Sequence, residues 1–234
     1  MRGIAIIFNN ERVHTGDDLD LVQEKKVIDK PAIQSFTAQV PGRDGLINLT
    51  RSLTGKVNYY NRSMSFQYFG TGTRKELLDL DAYMSRFHGQ TIQIIDDDHP
   101  DHYYEGEATV KTSLNSNYIT ITLEVDAQPF RLKLSPTVYI REISGEVTVY
   151  LNNESIEAIP IITTTGEIRI TYNGVTTILS AGTYTIENFV LRSGVNAVKI
   201  SGTATVTIQY QEGAIKCFIS KRTTLPYGRR LKIN

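Results

Sequence analysis

Tyr118–Ala127, YITITLEVDA, alternates without a break: Ile119, Ile121, Leu123 and Val125 fall on one side, with threonines opposite. Successive side chains of a strand point to opposite faces, so this pattern predicts a strand with one dry face and one wet face. Leu114-Asn115-Ser116-Asn117 joins it to a second alternating run, Glu105–Ser113, and the pair predicts an antiparallel hairpin. A chain that builds its best-patterned segment this way is read first as β.

The stretch upstream breaks that period. In TRKELLDLDAYMSRFHG, Thr73 and Glu76 form a capping box, in which each side chain satisfies an amide left free at a helix start. Leu77, Leu80, Met84 and Phe87 then share one face, and Gly89 supplies a left-handed stop. Further strands are predicted at Ile4–Phe8, Ala32–Val40, Val57–Phe69 and Thr91–Ile95. Between two of them lies QVPGRDGLINLT, Gln39 to Thr50. Pro41 presets one backbone angle and Gly42 and Gly45 permit angles other residues resist, so Arg43 and Asp44 are held on a stiff elbow.

Downstream, Pro129 and Pro136 bracket AQPFRLKLSP, and the composition changes to Thr, Ile, Val and Gly. Strands are predicted at Glu146–Leu151, Ile159–Thr163, Glu167–Tyr172, Val175–Leu179, Ala197–Ile200 and Thr205–Tyr210. Asn173-Gly174 is a strong hairpin signal, because both residues tolerate positive φ. Short strands at this spacing, with no helical period, predict a β-sandwich. The fold class is therefore mainly β: a β-rich domain at 1–130 with one α-helix and a hairpin, a sandwich at 131–213, and a basic extension at 214–234.

Charge supports this division. The 234 residues carry zero net charge, but residues 1–130 sum to −5, residues 131–213 to −1 and residues 214–234 to +6. A polyanion-binding body is excluded, and only the last stretch is basic. One cysteine, Cys217, permits no intrachain disulfide. The opening MRGIAIIF is too short an apolar run for a signal peptide, and no stretch has the length of a bilayer crossing. The expectation is a soluble protein made in a reducing cytoplasm.

No catalytic pattern emerges. IIDDDHPDHYYEG, Ile94 to Gly106, is dense in Asp and His, but from Asp96 the sixth position is Asp101 where a calcium loop needs glycine. His99 and His102 lack a third ligand at a zinc spacing. A solvated turn whose Asp residues accept local amides is the reading, and a hydrolase using the Asp96–Glu105 loop is the weakest alternative. His14 lies in a polar loop, and His88 closes the helix. Cys217 has no nearby His, and there is no nucleophile elbow, phosphate loop or dinucleotide fingerprint. Catalytic, metal and cofactor residues are therefore expected to be none. A carbohydrate-binding sandwich is the serious rival, yet residues 131–213 hold no Trp, and Tyr139, Tyr150, Tyr172, Tyr184, Phe189 and Tyr210 read as strand residues. The tail from Lys216, KCFISKRTTLPYGRRLKIN, reads as a polyanion-contacting arm or as an extension that packs on a neighbour.

The order of features has a likeness. MRGIAIIFNN, VPGRDGLINLT, YYNRSMSFQYFG, the capped helix ending in HG, and DDDHPDHYYEGEATV resemble the N-terminal domain of siphophage distal tail proteins. LNNE, ITTTGEIRITYNG, LRSGVNAVKISG and TVTIQYQEGAI are similar to the galectin-like C-terminal sandwich of the same family. The likeness covers about residues 1 to 215. It implies a structural protein of a phage or prophage tail tip, not an enzyme. In that family a homohexameric ring joins the tail tube to baseplate, tail-fibre, tail-associated lysin or receptor-binding proteins. DNA passes through the ring without specific binding, and no membrane is involved. Assembly would take place in the host cytoplasm. The galectin sugar site, with its stacking Trp, is missing here, and the basic segment after Ile215 departs from compact family members. With the resemblance, the elbow becomes an expected subunit or tube contact, with Arg43, Asp44 and Arg62 as its charged residues.

Overall fold

The computed structural model describes residues 3–42, 44–50 and 57–215. In chain order the first part holds β1 (Ile4–Phe8), β2 (Glu11–His14), β3 (Val22–Ile28), β4 (Thr37–Gln39), β5 (Leu46–Asn48), β6 (Arg62–Thr71), α1 (Arg74–Ser85), β7 (Thr91–Asp96), β8 (His102–Leu114) and β9 (Tyr118–Ala127). There follow β10 (Arg131–Lys133), β11 (Thr137–Asn153), β12 (Ile161–Thr164), β13 (Ile168–Tyr172), β14 (Val175–Leu179), β15 (Gly182–Thr185), β16 (Gly194–Tyr210) and β17 (Gly213–Ala214). The chain is mainly β, and the pairings among the described residues are antiparallel.

The first sheet runs β2-β1-β7-β8-β9-β6-β3, with β10 and β17 joined beyond β8. β9 lies inside the sheet, between β8 and β6, and its dry face is continuous: Ile119, Ile121 and Leu123 are fully buried beside Met64, Phe66 and Tyr68 of β6. α1 covers that face over β8 and β9. Its capping box is formed as expected, with the Thr73 amide donating to Glu76 Oε2 at 2.8 Å, and these bonds hold the Glu76 carboxyl below its usual range. Leu77, Met84 and Phe87 point into the core, and Gly89 takes φ 70 to end the turn.

The second sheet differs in construction. β11 and β16 pair through their whole length, from Thr137↔Tyr210 to Asn153↔Gly194. On its other edge β16 pairs with β13 over Lys199–Gly202 and with β12 over Val206–Gln209. One long strand pair therefore contributes to two layers, and the layers meet where Gly145 stands opposite Gly202. Gly145 has φ 87 and Gly202 φ 141, and a Cβ on Gly202 would lie 2.6 Å from the Glu167 carbonyl oxygen. Only glycine admits that combination of angle and approach. Inward residues of both halves, Val149, Ile170, Val198 and Ile200 with Ile162, Val206 and Ile208, share one core. This is a sandwich made by bending. The strands predicted at Glu146–Leu151, Ala197–Ile200 and Thr205–Tyr210 are pieces of these two longer ones, since each glycine continues its strand through a bend. The Asn173-Gly174 turn is formed as expected, with φ 49 and 79 between β13 and β14.

Two predicted strands are shorter than their apolar patterns. Ala32–Val40 becomes one bridge, Ile33↔Tyr59, followed by the three-residue β4, and Val57–Phe69 enters the sheet only at Arg62. β2 and β3 fall where the sequence reads as a polar loop; ERVH and VQEKKVI each expose one charged edge, which hides the alternation.

Candidate assembly interface

Residues 32–42, 44–50 and 57–60 leave the first sheet as an arm. Among the described residues β4 and β5 pair only with each other, in the register Thr37↔Asn48 to Gln39↔Leu46. The base is tied by the Gln34 amide to the Asn58 carbonyl at 2.9 Å and the Tyr60 amide to the Ala32 carbonyl at 2.8 Å. Tyr59 meets Phe130 edge to face at 5.9 Å, which anchors the arm to the body. Ile33, Phe36, Val40 and Tyr60 are exposed, and Leu46 is 65% exposed, whereas Thr50 is buried. A lone two-stranded ribbon is marginal in water.

The turn at the tip has Gly42 and Gly45 both at φ 81. Asp44 is exposed there, and Arg43 lies outside the described residues. Arg62 is elsewhere. It opens β6, is 3% exposed, and spends its donors within the chain. Nε and Nη2 donate to the Pro129 carbonyl at 3.1 and 2.6 Å, Nη2 to the Ile215 carbonyl at 3.2 Å and Nη1 to the Tyr104 hydroxyl at 3.4 Å. The guanidinium also stands 5.0 Å from the Tyr104 ring centroid. The structure thus does not bring Arg62 together with Asp44.

What Arg62 holds is the link between the two cores. β10 pairs with β8 through Leu132↔Tyr103 and with β17 through Arg131↔Ala214. Lys133 Nζ meets Glu212 Oε1 at 2.9 Å, and the Thr137 hydroxyl donates to the same carboxylate. His102 of β8 faces Glu154, just after β11, at 3.4 Å. Of these residues sequence reasoning marked Arg62 and His102 in other roles, and the bracket of Pro129 and Pro136; a partner so distant in sequence leaves no local signal.

The Asp-rich stretch is a knot of charges. Lys26 Nζ donates to Asp96 Oδ1 at 2.7 Å and to Asp98 Oδ2 at 2.5 Å. Partial burial opposes the Lys26 charge, but the two carboxylates prevail and raise its pKa above 10.5. The Gly3 amide donates to Asp97 at 2.7 Å, and His14 Nε2 lies 3.1 Å from the same carboxylate. Each of these three carboxylates already faces a cation, a ring or an amide, and no metal-binding group of three acidic, His or Cys side chains occurs among the described residues. Burial, and then the nearby Arg131 charge, lower the His99 pKa below 6.5. In the second core Tyr172, Phe189 and Tyr210 are buried, and burial followed by the Glu212 charge pushes the Tyr210 hydroxyl up to about 12. Tyr150 is the aromatic side chain there with an open face.

The fold so described is that of a two-core β protein from which a two-stranded arm projects. Among solved structures it is similar to the crystal structure of the SPP1 Dit (gp 19.1) protein, described as a paradigm of the hub adsorption apparatus in phages infecting Gram-positive bacteria. The two superpose with a TM-score of 0.60 at 12% sequence identity, over 90% of this chain and 99% of that one. The likeness at this identity is one of fold. No protein-family model matches the sequence, and no curated protein sequence matches it. No helix among the described residues is long and apolar enough to cross a membrane.

Proposed function

We propose that the chain is a structural distal tail protein of a long-tailed phage or prophage, without enzymatic activity. In this reading it closes a ring, six-fold as in the resembling family, at the virion tail tip. The ring joins the tail tube to baseplate or receptor-binding components and leaves a channel for DNA. The observation that carries the reading is the fold shared along nearly the whole of both chains with the SPP1 hub protein. Residues 1–130 form the ring, residues 131–213 the outward sandwich, and residues 214–234 a separate extension.

The arm is the part that meets the next subunit. A ring repeats one heterologous contact about its axis, so each copy must offer a surface that its own body does not complete. The ribbon of β4 and β5 offers such a surface on both faces, with Phe36, just before β4, for burial on one and Leu46 on the other, and the Arg43–Asp44 turn for charge pairing. Arg62 serves it from inside, by fixing β6 at the foot of the arm.

The test is negative-stain imaging of the purified full chain, classified by symmetry, beside Phe36→Asp/Leu46→Asp. Both side chains are exposed, so the variant keeps the fold, and closed rings given by the parent chain should be lost. Rings that persist in the variant sink the arm contact. Density of an intact virion with a single off-axis copy sinks the hub itself.

A further inference from the structure

Among the described residues, no element packs on the outer face of β6, β9 and β8. On the outer side of β6, β9 and β8, Ser63 stands opposite Asp126, Asp126 opposite Glu107, and Glu124 opposite Thr109. These residues line an open depression of about 480 Å³. Charge there is unbalanced. Lys111 Nζ donates to Glu124 at 2.6 Å, Asp126 accepts from the neutral Asn61 amide at 3.3 Å, and Glu107 has no ion pair among the described residues.

The described chain ends at that end of the sheet. The Ile215 carbonyl accepts from Arg62, and Arg62 lies opposite Ala127, one register step from the Ser63–Asp126 pair. The residues that follow, 216–234, contain Lys216, Lys221, Arg222, Arg229, Arg230 and Lys232 and no acidic residue. An extended chain advances about 3.3 Å per residue, so 216–221 suffices to cross from β6 to β8, strands about 4.8 Å apart. Direct attachment keeps the effective concentration of such a segment high.

We propose that the uncovered acidic face of β6, β9 and β8 is the docking surface of this chain's own basic segment, residues 216–234. Lys216, Lys221 and Arg222 lie against Asp126, Glu107 and Glu124. Exposed pairs are individually weak, so the contact rests on their number and on low screening. Salt shortens its reach from about 10 Å at 0.1 M to about 3 Å at 1 M. The proposal does not depend on the tail-hub reading.

Carbodiimide, which joins amines to carboxylates with no spacer, tests it on the full chain in an equal mixture of ¹⁵N-labelled and unlabelled protein. The expected result is Lys216 or Lys221 joined to Asp126, Glu107 or Glu124 within one isotopic form. Those links are lost at 1 M salt and in Glu107→Gln/Asp126→Asn. The Lys199–Glu146 pair, 2.8 Å apart in the second sheet, reports that the reagent works, and the Lys26–Asp98 pair, 2.5 Å apart, that the first sheet of the variant is folded. Tail links found only between isotopic forms overturn the proposal by assigning the segment to a neighbouring copy. Tail links only to other carboxylates, or none while Lys199–Glu146 links form, overturn it outright.

Discussion

The first sheet buries Ile119, Ile121 and Leu123 beneath α1, whereas the second sheet buries Val198, Ile200 and Ile208 by folding its longest strand pair over itself. In the first case closure comes from a separate element whose start and stop are set by its own few residues. In the second, closure depends on two glycines far apart in sequence that must meet across a ladder. The cost of the first solution is an outer sheet face that α1 leaves uncovered. The cost of the second is a bend that tolerates no side chain.

The strongest attack on this contrast is Gly202→Val. A β-branched side chain at φ 141, placed against the Glu167 carbonyl, should cost about 4 kcal/mol or more. Hydrogen exchange should then accelerate in β11 and β16 while β8 and β9 stay protected. Uniform acceleration would mean that the two cores unfold as one. Thr73→Ala probes the other side. It removes the cap of α1 and should cost about 1 kcal/mol, read as a fall in the urea midpoint of β8 and β9 protection, with β16 unmoved.

The smallest effect lies between the cores, at His99. Burial and the Arg131 charge make the folded ring resist a proton that the unfolded ring takes near pH 6.5. Its contribution is therefore complete above about that pH and is lost as pH falls through the lower folded value. The urea midpoint should drop from pH 7 to pH 5, and His99→Gln should flatten part of that slope. An unchanged slope would remove His99 from the account.

What could be read from the sequence was local. The alternation of β9, the Thr73–Glu76 box and the Asn173-Gly174 turn each lie within a few residues, and each is formed. The bend was not legible, because Gly145 and Gly202 have the composition of strand ends and acquire their meaning only opposite each other. Arg62 looked like a surface charge because arginine usually is one; its burial depends on Pro129 and Ile215, neither a sequence neighbour. At the arm the turn chemistry was plain, but that β4 and β5 would find no third strand was not, since isolation is a property of everything else in the fold.

Arg62 has a mechanical consequence. Because its guanidinium grips the main chain at Ile215, tension applied further along the polypeptide enters the protein at β6, inside the first sheet. The bent sandwich is bypassed, and whatever tugs on that end strains the body that bears the arm.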